Sequence, residues 1–279
     1  MRIDAHHHLW HPARSDYDWM PDNDVLQQPY LPADLAPQLS AAGIDGTVLL
    51  QAAASLEETE YMLGLADATP WIKGVVGWID FDDRIHLAHL RRLARHPQFI
   101  GVRPMIQEIE DTEWMLGHGV QWAYKALVDL DLSFDVLGLP EHIAPTIELA
   151  QKHPDLRIVC DHLMRPRIAA HQSGEDVFSD WAHGISALAE ETHVFMKLSS
   201  LVTEASDGWS LDTVRPFTDH AITAFGPERV MWGSDWPVSR LTAEYAQSHA
   251  LACDLIAHLS EPDQSAILGE TAARFYKLT

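Results

Sequence analysis

Short apolar runs rich in β-branched residues alternate with amphipathic helical stretches along the whole chain. The eight predicted strands are residues 1–10, 44–52, 71–81, 99–104, 132–137, 157–163, 193–199 and 229–236. Eight strand–helix units in 279 residues, close to the roughly 250 residues typical of this fold, predict a single (β/α)8 barrel domain over residues 1–279. A doubly wound open sheet is the alternative, but no glycine-rich nucleotide-binding motif follows the first strand.

Local sequence signals set the edges of two predicted helices and one loop. Gly43 is expected to end the helix at residues 33–42 in a left-handed cap. Ser55 and Glu58 match a Ser-x-x-Glu capping box that would open the next helix. Residues 10–30, in contrast, mix proline, aspartate and aromatic residues without helical periodicity. We expect this segment to form a loop that covers the mouth of the barrel.

The first predicted strand carries three consecutive histidines, His6, His7 and His8. Side chains alternate between the two faces of a strand, so His6 and His8 are expected on one face, together with Asp4. His7 is expected on the opposite face in a structural role. Two imidazoles two residues apart can reach one metal ion or one polarised carbonyl from the same wall of a pocket.

Polar or aromatic side chains stand late in each predicted strand. They are His6, His8, Gln51, Trp78, Asp80, Arg103, Asp135, Asp161, His162, Lys197 and Asp235. Because the carboxyl ends of barrel strands meet on one face, these side chains are expected to converge on a shared site. For Gln51 and Asp161, a structural hydrogen-bonding role is an equal alternative. Arg103 and Lys197 are expected to hold substrate oxygens, with a buried ion pair to Asp135 or Asp161 as their alternative.

Four of these residues form a set of nitrogen and oxygen ligands: His6, His8, His162 and Asp235. Such a set suits one divalent metal, Zn²⁺ first and Mn²⁺ or Fe²⁺ next, and leaves room for water. The metal would lower the pKa of that water, and Asp235 would accept its proton as the general base. The same histidines could instead donate hydrogen bonds to a carbonyl without a metal, and the sequence leaves both versions open. No Gly-x-Ser-x-Gly motif supports a serine nucleophile.

The charge of the chain argues against two classes of partner. Lys and Arg number 19 against 41 Asp and Glu, and the formal net charge of −22 repels nucleic-acid phosphates and anionic membranes. The two cysteines lie in different segments and argue against a disulfide framework, and Cys160 is expected to pack. Without an export signal or a membrane-spanning run, the sequence predicts a cytoplasmic protein with a small-molecule partner. It leaves a homo-oligomer open.

Five motifs carry a family resemblance. They are IDAHHHLW from Ile3, Asp161-His162 followed by Arg165-Pro166, MKLSSLVTEA at 196–205, WGSDWPV at 232–238 and GETAARFY at 269–276. Together and in this order they resemble the amidohydrolase superfamily, and within it the sugar-lactonase branch of L-fuconolactonases and L-rhamnonolactonases. The resemblance implies a distorted (β/α)8 barrel that opens a sugar lactone to the sugar acid. It also implies that His6, His8, His162 and Asp235 occupy the metal or catalytic positions.

The chain departs from the family pattern after the sixth strand. Many members have a DHxGKP-like run where this chain reads Asp161-His162-Leu163-Met164-Arg165-Pro166. Arginine in place of lysine at Arg165 is expected to alter the wall of the substrate site. The predicted substrate-binding residues are Gln51, Trp78, Arg103, Asp135, Arg165, Lys197 and Trp236, with Trp10 and Trp19 as further candidates for packing on a sugar ring.

Three other functions compete with the sugar lactonase. Relatives with the same His-x-His opening include metal-dependent decarboxylases, and a pyrone-dicarboxylate lactonase is the second rival. Both substrates are anions and would need several basic residues at the strand ends, where this chain offers Arg103, Arg165, Lys197 and Arg240 among many acids. A neutral polyhydroxy lactone fits that balance better. A noncatalytic metal- or sugar-binding barrel would keep the ligands but would not need Asp235 as a base.

Overall fold

The computed structural model describes residues 1–14, 17–21 and 23–279. Eight parallel strands form one sheet in the order β1 to β8. They are β1 (Ile3–His7), β2 (Gly46–Leu50), β3 (Ile72–Gly77), β4 (Phe99–Val102), β5 (Ser133–Val136), β6 (Arg157–Cys160), β7 (Phe195–Leu198) and β8 (Val230–Trp232). A parallel bridge between His7 and Trp236 joins the first segment to the last. The predicted (β/α)8 barrel is confirmed.

Helices alternate with these strands. They are α1 (Pro32–Ala42), α2 (Leu56–Ala68), α3 (His86–Leu93), α4 (Gln121–Asp129), α5 (Ile143–Lys152), α6 (Ile168–Gln172), α7 (Phe178–Glu191), α8 (Leu211–Phe225), α9 (Tyr245–Ile256), α10 (Glu261–Ser265) and α11 (Thr271–Tyr276). Gly43 ends α1 with a φ of 67°, as predicted. Ser55 opens α2 by accepting the Glu58 N–H at 3.0 Å. The Ser55 N–H donates to the Ala53 carbonyl at 2.9 Å. The Glu58 carboxylate accepts from the Tyr17 hydroxyl at 3.0 Å and from the Ala52 N–H at 3.3 Å.

The strands are shorter and less regular than predicted. The pairing of β1 with β2 shifts register between Asp4 and His7, and similar irregularities occur between β2 and β3 and between β3 and β4. The expectation that Asp4 accompanies His6 and His8 is therefore wrong. Asp4 accepts instead from the Ser234 N–H at 2.9 Å and from the Tyr245 hydroxyl at 3.2 Å. It ties β1 to the segment after β8 and to α9.

The apolar core has two parts. The larger part lies between the strands and the helices and includes Cys160, which packs there as predicted. The smaller part combines inward side chains such as Ile3 and Val159 with Phe275 of α11. A Cβ at Gly269 would meet the Met1 carbonyl oxygen at 2.2 Å, so only glycine lets the chain before α11 pass this close to β1. In the described residues, no helix is long and apolar enough to cross a membrane.

The predicted covering loop spans residues 10–30, of which the structure describes residues 10–14, 17–21 and 23–30. Trp10 and Tyr30 close its base through two backbone hydrogen bonds of 3.0 and 2.9 Å. Trp10 is fully buried, so it packs the base of the loop. Trp19 reaches the mouth of the barrel, where its indole N–H donates to the Ala52 carbonyl at 2.5 Å.

Candidate active site

His6, His8 and Asp235 meet at the carboxyl end of the barrel. The Nε2 atoms of His8 and His6 lie 3.3 and 3.5 Å from Asp235 Oδ1. All three side chains are buried, and one ligand atom from each lies within 4.8 Å of the other two. The sequence predicted this grouping, since the histidines end the first predicted strand and the aspartate ends the eighth.

Both histidines turn Nε2 toward this centre. His8 Nδ1 lies 2.9 Å from the Leu50 carbonyl oxygen, which can only accept, so Nδ1 donates and Nε2 is the nitrogen available to a metal. Burial lowers the pKa of His6 well below its usual value, so that ring is neutral at pH 7. His7 turns away from the centre, as predicted, and its Nε2 lies 2.8 Å from Thr47 Oγ1.

The geometry and chemistry of these three residues fit a metal ion. Ligand atoms about 2.0–2.1 Å from a tetrahedral metal lie roughly 3.3 Å apart, which is close to the 3.3 and 3.5 Å measured between Asp235 Oδ1 and the two imidazoles. Two imidazoles and a carboxylate are also a donor set that divalent transition metals accept. His6, His8 and Asp235 can therefore hold one divalent cation.

His162, the fourth predicted ligand, lies beside this centre. Its ring centroid is 4.5 Å from that of His6, and its Nδ1 lies 2.7 Å from Ser199 Oγ. It groups with His6 and Asp161 within 4.8 Å, and not with the other two residues of the centre. Burial lowers the pKa of His162 to about 4, so the ring is neutral at pH 7.

The turn that carries His162 has a left-handed backbone. Its four residues are His162, Leu163, Met164 and Arg165, with φ values of 54°, 51°, 58° and 48°. This conformation costs L-residues roughly 1–2 kcal/mol each and persists only where surrounding contacts hold it, often at functional sites. The turn places His162 and Arg165 on the wall of the same cavity.

Lys197 lies in the buried ion pair that the sequence offered as its alternative role. Its Nζ is 2.7 Å from Asp135 Oδ2 and 3.0 Å from Asp161 Oδ1, and the side chain has no exposed surface. Asp161 also accepts from Arg103 Nη1 at 3.0 Å. Burial alone would raise the pKa of Asp161, but Lys197, His6 and Arg103 together hold it well below its usual range. This charged cluster lies in the barrel interior behind His6, with Lys197 Nζ 3.3 Å from His6 Nδ1.

Asp235 is oriented by a serine from the loop after β7. Ser200 Oγ donates to Asp235 Oδ2 at 2.6 Å, which leaves Oδ1 facing the two histidines. Burial would raise the pKa of Asp235, but the neighbouring imidazoles of His162, His8 and His6 hold it below its usual range. The carboxylate is therefore ionised and can bind a cation or accept a proton.

A cavity of about 250 Å³ opens beside these residues, and its wall includes His8, Trp19, Arg103, His162, Arg165 and Asp235. Two predicted substrate-binding residues, Arg103 and Arg165, thus line it. Gln51 lies behind the wall, where its Nε2 donates to the Arg103 carbonyl at 2.7 Å. Trp78 and Trp236 are not among the described lining residues, since each packs against another ring.

Sequence reasoning missed several loop residues at this cavity. They are Met105, Gln107, Ser200 and Thr203, with Glu204 behind them. Glu204 Oε1 accepts from Arg165 Nε at 2.7 Å, and Gln107 Oε1 accepts from Arg165 Nη1 at 2.5 Å. The polar run after β7 was the available signal for Ser200 and Glu204. Gln107 had none, because it lies in a single 3-10 turn, Ile106–Glu108.

Fold and centre together define a (β/α)8 barrel protein with a histidine–aspartate site for one divalent metal. The amidohydrolase family model matches residues 3–278, and the chain belongs to that family. Two proteins called L-fucono-1,5-lactonase are similar to it: one from Burkholderia ambifaria, 36% identical over 99% of this chain and 96% of its own, and one from Burkholderia multivorans, 33% identical over 100% and 96%. A crystal structure of a Burkholderia multivorans amidohydrolase with bound zinc has a TM-score of 0.94 and 32% identity, and the match covers both chains completely.

Proposed function

We propose that this protein hydrolyses a sugar lactone of the L-fucono-1,5-lactone type to the open sugar acid. The observation that supports the proposal most strongly is the position of Asp235. Its carboxylate is ionised, lies next to His6 and His8, and lines a cavity of about 250 Å³. Pockets for drug-sized ligands are roughly 300–1,000 Å³, so this one suits a single small ring. The full-length similarity to two proteins named L-fucono-1,5-lactonase supports the choice of substrate.

In the proposed reaction, Asp235 takes a proton from water as the water oxygen bonds to the lactone carbonyl carbon. The tetrahedral centre then collapses, and the bond between the carbonyl carbon and the ring oxygen breaks. The departing alkoxide takes the proton from Asp235, which gives the hydroxy acid. Ser200 supports both transfers because its hydrogen bond of 2.6 Å keeps one carboxylate oxygen turned toward the histidines.

His6, His8 and Asp235 would hold the divalent cation of this site, and we propose zinc. When bound, the cation polarises the lactone carbonyl and lowers the pKa of the attacking water. The hydrogen bond from His8 Nδ1 to the Leu50 carbonyl fixes the tautomer that such binding needs. Zinc in the similar Burkholderia multivorans structure supports this choice.

The decisive experiment is a panel of neutral aldonolactones assayed by proton release with a pH indicator. The protein is used with its metal content measured, then after chelation, and then after zinc is added back. We expect proton release that falls at least tenfold on chelation and returns with zinc. A full rate in metal-free protein would favour histidines that donate to the carbonyl directly, and no release from any lactone would overturn the proposed function.

Replacing Trp19 by alanine is expected to raise KM for the preferred lactone about 5- to 20-fold with little change in kcat. The ring lines the cavity, and its contact with a bound sugar would add the free energy of one buried aromatic face, of the order of 1–2 kcal/mol. Steady-state kinetics would measure both constants.

The matched control for Trp19 is Trp122→Ala. Trp122 is also partly buried and also donates its indole N–H to a backbone carbonyl, that of Phe81 at 2.9 Å, but it does not line the cavity. We expect its KM to stay within twofold of wild type. Equal effects of the two substitutions on KM would show that Trp19 acts only through stability.

A further inference from the structure

Arg165 lines the cavity, and a single carboxylate in the described part of the chain, that of Glu204, compensates its positive charge. Its Nε donates to Glu204 Oε1 at 2.7 Å, and its Nη1 donates to Gln107 Oε1 at 2.5 Å. The third nitrogen, Nη2, has no hydrogen-bond partner among the described residues. The side chains of Arg165 and Glu204 are 32% and 14% exposed, so water screens this ion pair only in part.

The other guanidinium on the cavity wall is also paired. Arg103 Nη1 donates to Asp161 at 3.0 Å, and Asp235 adds a further carboxylate on the same wall. Each guanidinium on the described wall thus has a carboxylate partner, Asp161 for Arg103 and Glu204 for Arg165. At either guanidinium, an uncharged ligand meets hydrogen-bond donors, whereas the carboxylate of an anionic ligand meets a positive charge that a protein carboxylate already compensates.

We propose that Glu204 determines the substrate class by neutralising Arg165, so that the cavity accepts uncharged polyhydroxy lactones and rejects lactones that carry a carboxylate. The inference rests on the proposed lactonase function and deepens it. Arg165 remains a hydrogen-bond donor through Nη2 and can meet a ring hydroxyl. Glu204 acts through Arg165 and does not line the cavity, so it is a positioning residue.

The physical reason is that specificity is a difference between two affinities, and a repulsive group can supply most of it. A carboxylate on the substrate would approach Arg165 and Glu204 together, so attraction to the guanidinium would be offset by repulsion from Glu204. Removing the charge of Glu204 leaves Arg165 with an unpaired positive charge in a partly buried site. That charge would then attract a substrate carboxylate.

The test is Glu204→Gln with a matched pair of substrates. One is a neutral aldonolactone, and the other is the corresponding aldarolactone, in which a carboxylate replaces the terminal hydroxymethyl group. We expect wild type to favour the neutral lactone at least tenfold in kcat/KM. In Glu204→Gln, this ratio should shift at least tenfold toward the anionic lactone. A purely structural role of Glu204 would lower kcat/KM for both lactones by the same factor and leave their ratio unchanged.

Two further variants keep the test decisive. Glu141→Gln is the control, because Glu141 pairs with Arg167 at 3.6 Å on the surface, away from the cavity, and its ratio should stay within twofold of wild type. Arg165→Gln with Glu204 retained should move the ratio further toward the neutral lactone, and it serves alone if Glu204→Gln fails to fold. If the protein opens the neutral lactone but the ratio is unchanged in the Arg165 and Glu204 variants, the proposed role of Glu204 is overturned and the proposed function is not. Failure of wild type on the whole lactone panel would instead overturn the proposed function.

Discussion

Replacing Asp235 by asparagine is expected to lower kcat for lactone opening by roughly 10²–10⁴-fold, the usual contribution of a general base. Asparagine has the size of aspartate and its amide oxygen can still accept the hydroxyl of Ser200, but it cannot take a proton at neutral pH. Steady-state kinetics on the best lactone of the panel would measure the loss. The assay is run at saturating zinc with the metal content of each protein determined, so that weaker metal binding is seen separately.

Asp129→Asn is the control for this experiment. Asp129 is exposed on α4 and pairs with Lys125 at 3.5 Å, so its substitution should leave kcat within twofold. The melting temperature of Asp235→Asn should also show that the barrel remains folded. A rate within threefold of wild type at full metal occupancy would exclude Asp235 as the base.

The barrel could be predicted because its signals are local. An apolar β-branched run followed by an amphipathic helix specifies one strand–helix unit, and eight such units leave few other architectures. Gly43 and Ser55 show the same locality, since a cap depends on neighbours within one turn. The position of Asp4 could not be predicted this way, because the register irregularity in β1 arises from pairing with a strand some 40 residues later in the chain.

The centre of the site was also predictable from position along the strands. His6, His8 and Asp235 end the first and last predicted strands, and barrel closure alone brings those ends together. The pairing of Lys197 was not predictable. An ammonium at the end of a strand serves equally well as a substrate ligand or as an ion-pair partner, and only the distances to Asp135 and Asp161 decide between them.

The cavity wall was the least predictable part of the site. Gln107 and Glu204 reach Arg165 from two different loops, and neither loop has a periodicity that would report its shape. The left-handed turn at 162–165 adds to this difficulty, because Leu163, Met164 and Arg165 are not residue types that favour a positive φ. Contacts with residues far away in the chain hold that backbone, so the sequence of the turn does not predict its conformation.

The buried cluster leads to a prediction about stability. Lys197→Met keeps most of the side-chain volume but leaves Asp135 without its cation, so we expect a loss of about 3–5 kcal/mol in the free energy of unfolding. Urea denaturation followed by circular dichroism would measure it. Lys152→Met removes an exposed pair with Glu148 at 2.6 Å and should cost at most about 1 kcal/mol.

The reason for the large effect can be tested in a double variant. Asp135→Asn together with Lys197→Met removes both charges of the pair, while Asp161 keeps its hydrogen bond from Arg103. If an uncompensated buried carboxylate causes the loss, the double variant should be more stable than Lys197→Met alone. If poor packing of the methionine causes it, the double variant should be no more stable. Lys197 Nζ also lies 3.3 Å from His6 Nδ1. The ion pair that stabilises the barrel therefore also holds the His6 imidazole in place.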